Sequence, residues 1–157
     1  MLQDKEEEFN CIYSRYADML YRLALSYLNC NQDAQDAVHD VFIKYYSALH
    51  RPKEEEHQRA WFVRCTINQC HDMLRKKKHR THESLDEIKE LPSEEKELEN
   101  DVCKLVSALP EKYRSVIVLH YLEGYDVKET ATMLRISVSA VKMRLSRGRL
   151  LLKDAMI

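Results

Sequence analysis

Scarcity of glycine is the feature that most constrains how this chain can fold. The sequence of 157 residues contains only two glycines, Gly124 and Gly148, and three prolines. Tight hairpin turns rely on glycine and on Asn-Gly pairs. Glycine-rich phosphate loops, dinucleotide-binding fingerprints and nucleophile elbows each need several glycines close together. Two distant glycines can form none of these motifs, and the sequence therefore predicts an all-α protein.

Charge is distributed in blocks along the chain, although the net charge is only −1. Residues 51–80 hold nine Lys/Arg against four Asp/Glu, and residues 104–157 hold ten against five. Residues 81–103, between these two basic blocks, hold two against nine. Since a surface of one sign attracts partners of the other, the pattern indicates two anion-binding surfaces. Alternating solvated faces would give the same pattern, so charge alone leaves both interpretations open.

Cysteine usage and the length of apolar runs bear on the compartment. The five cysteines are an odd number with no Cys-x-x-Cys pair, and they follow an acidic, polar start that has no secretory signal. We therefore expect reduced thiols and a cytoplasmic protein. The uninterrupted apolar runs are far shorter than the ~20 residues that span a bilayer, and we expect no membrane insertion by this chain.

Apolar residues recur at three- and four-residue steps through most of the chain, which is typical of amphipathic helices. The predicted helices cover residues 5–28, about 33–49 with Asp33 as N-cap, about 58–78, a stretch from Glu95, 110–122 ended by Gly124, about 127–134, and a last helix from an N-cap at Ser137 to about Lys153. The acidic, apolar-poor stretch 81–95 contains Pro92 and is predicted to be a flexible linker. The sequence thus predicts two small helical domains, residues 1–80 and 96–157.

A short helix, the three-residue turn 135–137 and a longer basic helix form a helix-turn-helix pattern. Ala131 allows the two helices to cross closely, and Ile136 faces the core from the turn. Val141 and Leu145 are predicted to hold the second helix against the first. The outer face of that helix then presents hydroxyls and cations, which suit the base edges and phosphates of duplex DNA. Its residues are Ser139, Lys142, Ser146 and Arg149, flanked by Arg144 and Arg147.

The second half of the chain closely resembles the fourth conserved region of bacterial RNA polymerase sigma factors. That resemblance rests on residues 109–117 (LPEKYRSVI), 121–125 (YLEGY), 129–131 (ETA), 136–137 (IS) and 141–149 (VKMRLSRGR).

The first half resembles the second region of the same family. The matching residues are Phe9, Tyr13, Tyr16 and 20–24 (LYRLA) at its start, 33–42 (DAQDAVHDVF) in its polymerase-binding segment, and 59–64 (RAWFVR) with Asn68, Asp72 and 74–75 (LR) in its promoter-melting segment. Two regions in this order, with no third region between them, are similar to the compact extracytoplasmic-function (ECF, group IV) class.

The resemblance implies a promoter-specificity subunit without catalytic residues, metal or cofactor. Its first domain would bind the clamp helices of the largest subunit of core RNA polymerase, and would recognise and melt the minus-ten element. The loop 50–57 and the start of the third helix would capture a flipped base. The second domain would read the minus-thirty-five element as duplex DNA and meet the flap of the second-largest subunit. An anti-sigma factor is a further expected partner.

The resemblance also assigns roles to individual positions. Polymerase binding falls to Asp33, Asp36, His39, Asp40 and Lys44. Binding of the minus-ten element falls to Arg59, Trp61, Arg64, Asn68, Arg75, Lys76, Lys77 and Lys78. Binding of the minus-thirty-five element falls to Ser137, Ser139, Lys142, Arg144, Ser146, Arg147 and Arg149. Trp61 could equally be a core residue, since large aromatic side chains on helices are usually buried.

Three positions depart from the family's pattern. Arg135 stands in the turn where the family often has glycine, so the backbone there is expected to be strained or altered. His39 stands where glutamine is usual, and Cys70 with His71 replaces a commoner pair of small apolar residues.

Other functions are less well supported by the sequence. Asp36-x-x-His39 and Glu54-x-x-His57 have the spacing of di-iron helix bundles, but such a site needs facing helices and two more carboxylates. A zinc site would need four converging ligands, and no set of nucleophile, base and orienting residue is visible. Cys70 lies near cations that would favour a thiolate, although a buried inert thiol fits it better. The remaining alternative is a dimerising or effector-sensing regulator that carries a helix-turn-helix.

Overall fold

The computed structural model describes residues 2–83, 102 and 104–155. All regular secondary structure in these ranges is helical, which confirms the predicted all-α class. The helices form two packed groups, one from each half of the chain, which are called the N-terminal and the C-terminal domain below. The two domains also contact each other.

The N-terminal group is a bundle of three long helices. Helix α1 spans Leu2–Leu28, α2 spans Asn31–Ser47 and α3 spans Glu55–Glu83, and each packs against the other two. Their apolar stripes meet in a buried core, and burial of such a stripe is the main source of stability for amphipathic helices in proteins. The largest buried side chains of this core include Tyr16, Leu20, Leu23, Val41, Phe62 and Val63.

The C-terminal group is built around the helix-turn-helix. After a helical turn over residues 104–107, α4 spans Glu111–Ile117 and continues as a π-helical turn over Val118–Leu122. Gly124 follows this turn with a φ of +78°, a backbone region that glycine enters at no steric cost. Helix α5 then spans Val127–Leu134 and α6 spans Val138–Ala155. The largest fully buried side chains of this core are Val116, Val118, Leu119, Met133 and Val141, and Leu145 packs with them.

Several predicted helix boundaries were wrong. Helix α2 begins at Asn31 with Cys30 at the N-cap position, so Asp33 lies inside the first turn and is not the cap. Leu49 is 95% exposed because α2 ends at Ser47, before the apolar stripe reaches it. Helix α3 is longer than predicted at both ends and shortens the loop expected over residues 50–57.

The predicted linker is only partly covered by the structure. Residues 81–83, which were assigned to the linker, belong to α3. The rest of the predicted linker lies outside the described residues, as does the start of the helix predicted from Glu95.

Helix α5 begins with a capping box, which gives a testable contribution to stability. The Asp126 carboxylate accepts a hydrogen bond from the Glu129 backbone N–H at 2.7 Å, and the Glu129 carboxylate accepts one from the Asp126 N–H at 3.2 Å. Replacing Asp126 by alanine is expected to lower the free energy of unfolding by about 1 kcal/mol, the usual loss for an N-cap. Urea denaturation measures this loss when Asp126→Ala is compared with Lys128→Ala, a substitution at an exposed position of the same turn. Equal midpoints for both variants would contradict the expectation.

Candidate nucleic-acid interface

The turn of the helix-turn-helix is held by local hydrogen bonds. Arg135 adopts the left-handed conformation (φ 57°, ψ 44°) after α5, as the departure from glycine suggested. That conformation costs a residue other than glycine roughly 1–2 kcal/mol. The Ile136 N–H bonds the Ala131 carbonyl at 3.1 Å, and the Ser137 hydroxyl accepts from the Ala140 N–H at 3.0 Å. Ser137 is therefore the N-cap of α6, as predicted.

Helix α6 separates a buried face from an exposed basic face. Val141 and Leu145 are buried, and Gly148 lies so close to Ile117 that an added Cβ would be 3.1 Å from its Cδ1 atom. The residues predicted to contact the minus-thirty-five element are exposed except Arg144, which is half-buried: Ser137, Ser139, Lys142, Ser146, Arg147 and Arg149. The Arg149 guanidinium donates to the Tyr121 hydroxyl at 2.8 Å. The helix thus offers donors and cations along a surface that no other described helix covers.

Three of the five predicted polymerase-binding residues on α2 contact α3, namely Asp33, Asp40 and Lys44. Asp36, His39, Asp40 and Lys44 are exposed, and Asp33 is half-buried. Gln69 of α3 links two of them, since its amide donates to the Asp40 carboxylate at 3.1 Å and accepts from the Lys44 ammonium at 2.8 Å. The Asp33 carboxylate contacts the Lys77 ammonium at 3.3 Å.

Two of the arginines predicted to bind the minus-ten element are engaged by the C-terminal domain. The Arg59 guanidinium contacts the Glu129 carboxylate at 3.2 Å and lies 4.8 Å from the centre of the Tyr125 ring. The Arg64 guanidinium donates to the carbonyls of Thr132 and Met133, both at 3.0 Å. These carbonyls lie at the C-terminal end of α5, where a cation is favoured. The partners of both arginines therefore come from the helix-turn-helix.

Further contacts between the two domains lie on either side of these arginines. Arg22 of α1 forms a two-pronged ion pair with Glu123, with Nη2 to Oε2 at 2.9 Å. The Tyr125 hydroxyl donates to the Met19 sulfur at 3.2 Å, and His71 of α3 contacts Glu111 at the start of α4. Sequence reasoning did not identify any of the acidic partners, because helical periodicity is local and the two arginine ion pairs join residues 70 and 101 positions apart in the chain.

The other residues predicted for the minus-ten element are distributed along α3, from Trp61 to Lys78. Trp61 is half-buried with its indole edge-on to Tyr45 and Phe62. Asn68 is exposed beside the C-terminal domain, and Arg75 pairs with Asp72 on its own helix. Lys76, Lys77 and Lys78 are exposed near the end of α3.

The structure also bears on the proposed roles of the cysteines and of the potential metal ligands. Burial raises the pKa of the Cys70 thiol to about 12 and raises that of Cys65 as well. Since the thiolate is the reactive form, these cysteines behave as core residues at neutral pH. Within the ranges that the structure covers, no cluster of histidine, cysteine and carboxylate side chains could hold a metal ion. No helix among them is long and apolar enough to cross a bilayer.

Comparisons with known proteins cover both domains. Residues 12–80 match the family described as Sigma-70 region 2, and residues 101–152 match Sigma-70, region 4. RNA polymerase sigma factor SigV of Bacillus subtilis is 30% identical over 146 residues, which cover 91% of this chain and 87% of the relative. ECF RNA polymerase sigma factor SigW of the same organism is 28% identical over 161 residues, covering 92% and 86%.

Two solved structures share the fold. CnrH, solved in complex with the cytosolic domain of CnrY, matches with a TM-score of 0.73 at 26% identity and covers 96% of this chain and 88% of its own. The sigma factor RpoE from Bartonella quintana, solved with the anti-sigma factor NepR, matches with a TM-score of 0.71 over 98% and 97% of the two chains. Its identity of 20% supports the fold alone.

Proposed function

Because the chain belongs to the ECF-type RNA polymerase sigma factors, a family of transcription initiation factors and not of enzymes, we propose that it confers promoter specificity on core polymerase in the cytoplasm. In this proposal it is a group IV member that recognises two promoter elements, one with each domain. The observation that best supports DNA reading is the exposed face of α6, where hydroxyls and cations stand opposite buried Val141 and Leu145.

Helix α6 would read the minus-thirty-five element in the major groove. An α-helix fits this groove, where side-chain donors reach base edges and flanking cations hold phosphates. Lys142, on the outer face, would contact a base, and Arg147 would hold phosphate. Arg149 would have to exchange its hydrogen bond with Tyr121 for one with DNA.

Helix α3 would bind the minus-ten element after the two domains separate. Arg59 and Arg64 are bonded to α5 in this structure, and a strand cannot use the same guanidinium donors. The exposed lysines near the end of α3 would hold phosphates of the opened strand. Promoter melting thus requires an arrangement more open than this one.

The partners in this proposal are core polymerase and an anti-sigma factor. The exposed residues of α2 would meet the clamp helices, and the C-terminal domain would meet the flap. An anti-sigma factor is proposed because the Bartonella sigma factor was solved in complex with the anti-sigma factor NepR, and CnrH was also solved with a protein partner, the cytosolic domain of CnrY.

Base reading and phosphate holding by α6 can be separated experimentally. Replacing Lys142 by alanine is expected to cost about 1–3 kcal/mol and to relax preference at one or two upstream promoter positions. Replacing Arg147 by alanine is expected to weaken binding to all sequences and to lower the salt slope by about one. Transcription from a library of randomised upstream elements at two salt concentrations distinguishes the two effects.

The two variants serve as controls for each other. Equal losses for every sequence would mean that α6 is only an electrostatic anchor. If neither change has an effect, α6 does not face DNA and the proposed role of the C-terminal domain is wrong.

A further inference from the structure

A solvent-open cleft of about 710 Å³ lies between the two domains. One wall comes from α3, with Arg64, Ile67 and Asn68. The other wall comes from the start of α4, from the end of α5 and from α6. Its volume falls within the range of small-molecule sites in proteins.

The cleft carries an excess of positive charge. Four cations line it, Arg64 from the N-terminal domain and Lys112, Arg135 and Arg144 from the C-terminal domain. The one carboxylate in the lining belongs to Glu111, which already contacts His71. In the parts of the chain covered by the structure, no carboxylate lies within ion-pairing distance of any of the four cations.

The arrangement of the domains sets like charges against each other, those of Arg64 and Arg135. Burial and the nearby charge of Arg135 lower the pKa of the Arg64 guanidinium, as expected for a cation that is desolvated beside another cation. The carbonyls that bond Arg64 are neutral and leave the net charge of the cleft positive. An anion between the domains would relieve this repulsion.

The backbone at Arg135 is a second, independent feature of the cleft. Its left-handed conformation would suit glycine, yet the chain places a guanidinium there, at the wall opposite Arg64. Residues in sparsely populated backbone conformations of this kind cluster at functional sites. Arginine at this position supplies the cleft with a cation that glycine would not supply.

We propose that the cleft binds an oligophosphate anion, such as the phosphate tail of a nucleotide, which bridges cations of both domains and stabilises their closed arrangement. Because Arg64 and Arg144 come from different domains, the anion meets all four cations only when the domains are together. A ligand shifts a conformational equilibrium by its difference in affinity for the two states. Its effect on transcription, a reduction of promoter binding through Arg64 and Arg144, rests on the proposed function.

Calorimetric titration of the full-length protein with ATP and with inorganic tripolyphosphate, in magnesium-free buffer, tests the binding. We expect saturable one-to-one binding that weakens with salt. Equal affinities would mean that phosphate alone is recognised, and tighter binding of ATP would mean that the cleft also contacts the nucleoside. No saturable binding of either compound would overturn the proposal.

Variants identify the site. Arg135→Gly removes a cation and relieves strain, so it is expected to fold, and its affinity is expected to fall about tenfold or more. Lys128→Ala, which removes an exposed cation of α5 outside the cleft, is the matched control and is expected to bind as the original protein does. Unchanged affinity in Arg135→Gly would place any binding elsewhere and overturn the proposal.

A charge-increasing variant distinguishes bridging from simple attraction. The double variant Glu123→Arg/Glu129→Arg places arginines against Arg22 and Arg59, so the two domains are expected to separate. None of these four positions lines the cleft. Bridging predicts weaker oligophosphate binding in this variant because the site is split. Simple attraction predicts tighter binding because the net charge rises by four, and that result would overturn the proposal. None of these titrations contains polymerase or promoter, so their failure leaves the proposed function unaffected.

Discussion

Replacing Asp36 and Asp40 of α2 by lysine is expected to weaken binding to core RNA polymerase by about 100-fold. Both carboxylates are exposed on a helix whose opposite face is buried, so they are free to meet another protein. Reversing charges at an interface sets like charges against each other, which costs several kcal/mol. The only described side-chain hydrogen bond that these substitutions remove is the exposed one from Gln69 to Asp40.

Titration of labelled core polymerase with Asp36→Lys/Asp40→Lys measures this loss. Asp18→Lys makes the same kind of charge reversal at an exposed position of α1 and is expected to keep full affinity. Thermal unfolding of the variants shows that the fold is intact. Unchanged affinity for core, with a folded double variant, would mean that polymerase does not bind this side of α2.

Reversing the charges of Glu123 and Glu129 is expected to separate the two domains. These carboxylates pair with Arg22 and Arg59 across the domain boundary, and arginine in their place would repel both. The opened protein is expected to show a larger radius of gyration in small-angle X-ray scattering. It is also expected to bind promoter DNA about tenfold more tightly without polymerase, because Arg59 and Arg64 are released from α5.

A control of equal charge separates opening from the gain in positive charge. Glu7→Arg with Asp154→Arg makes one reversal in each domain, at exposed positions away from the domain boundary. It is expected to leave the radius of gyration unchanged and to bind DNA less tightly than the opened variant. Equal DNA affinity in both double variants would show that domain separation contributes nothing.

Helix positions were predictable because helical periodicity is a local property of the sequence. The limits of α5 and the cap at Ser137 follow from residues within one turn of each other. The buried positions of Val141 and Leu145 follow from the same three- and four-residue steps. The left-handed turn at Arg135 was expected from the resemblance, since glycine is usual there.

The contacts between the domains were not predictable from the sequence. Arg59 and Glu129 are 70 residues apart, and periodicity gives no information on how two amphipathic domains sit against each other. Arg64 was assigned to promoter DNA by the resemblance to the promoter-melting segment of the family. The structure places backbone carbonyls against it instead. A guanidinium can donate to phosphate oxygens or to backbone carbonyls, so the arrangement of the domains decides which of the two Arg64 binds.

The most direct test of the proposed function is reconstitution of the full-length protein with core RNA polymerase. Size-exclusion chromatography followed by run-off transcription is expected to give a one-to-one complex that initiates at specific promoters. The protein alone is expected to bind the same promoter DNA poorly. A protein that ignores core polymerase and binds palindromic duplex DNA as a dimer would contradict the account and identify a regulator of another class.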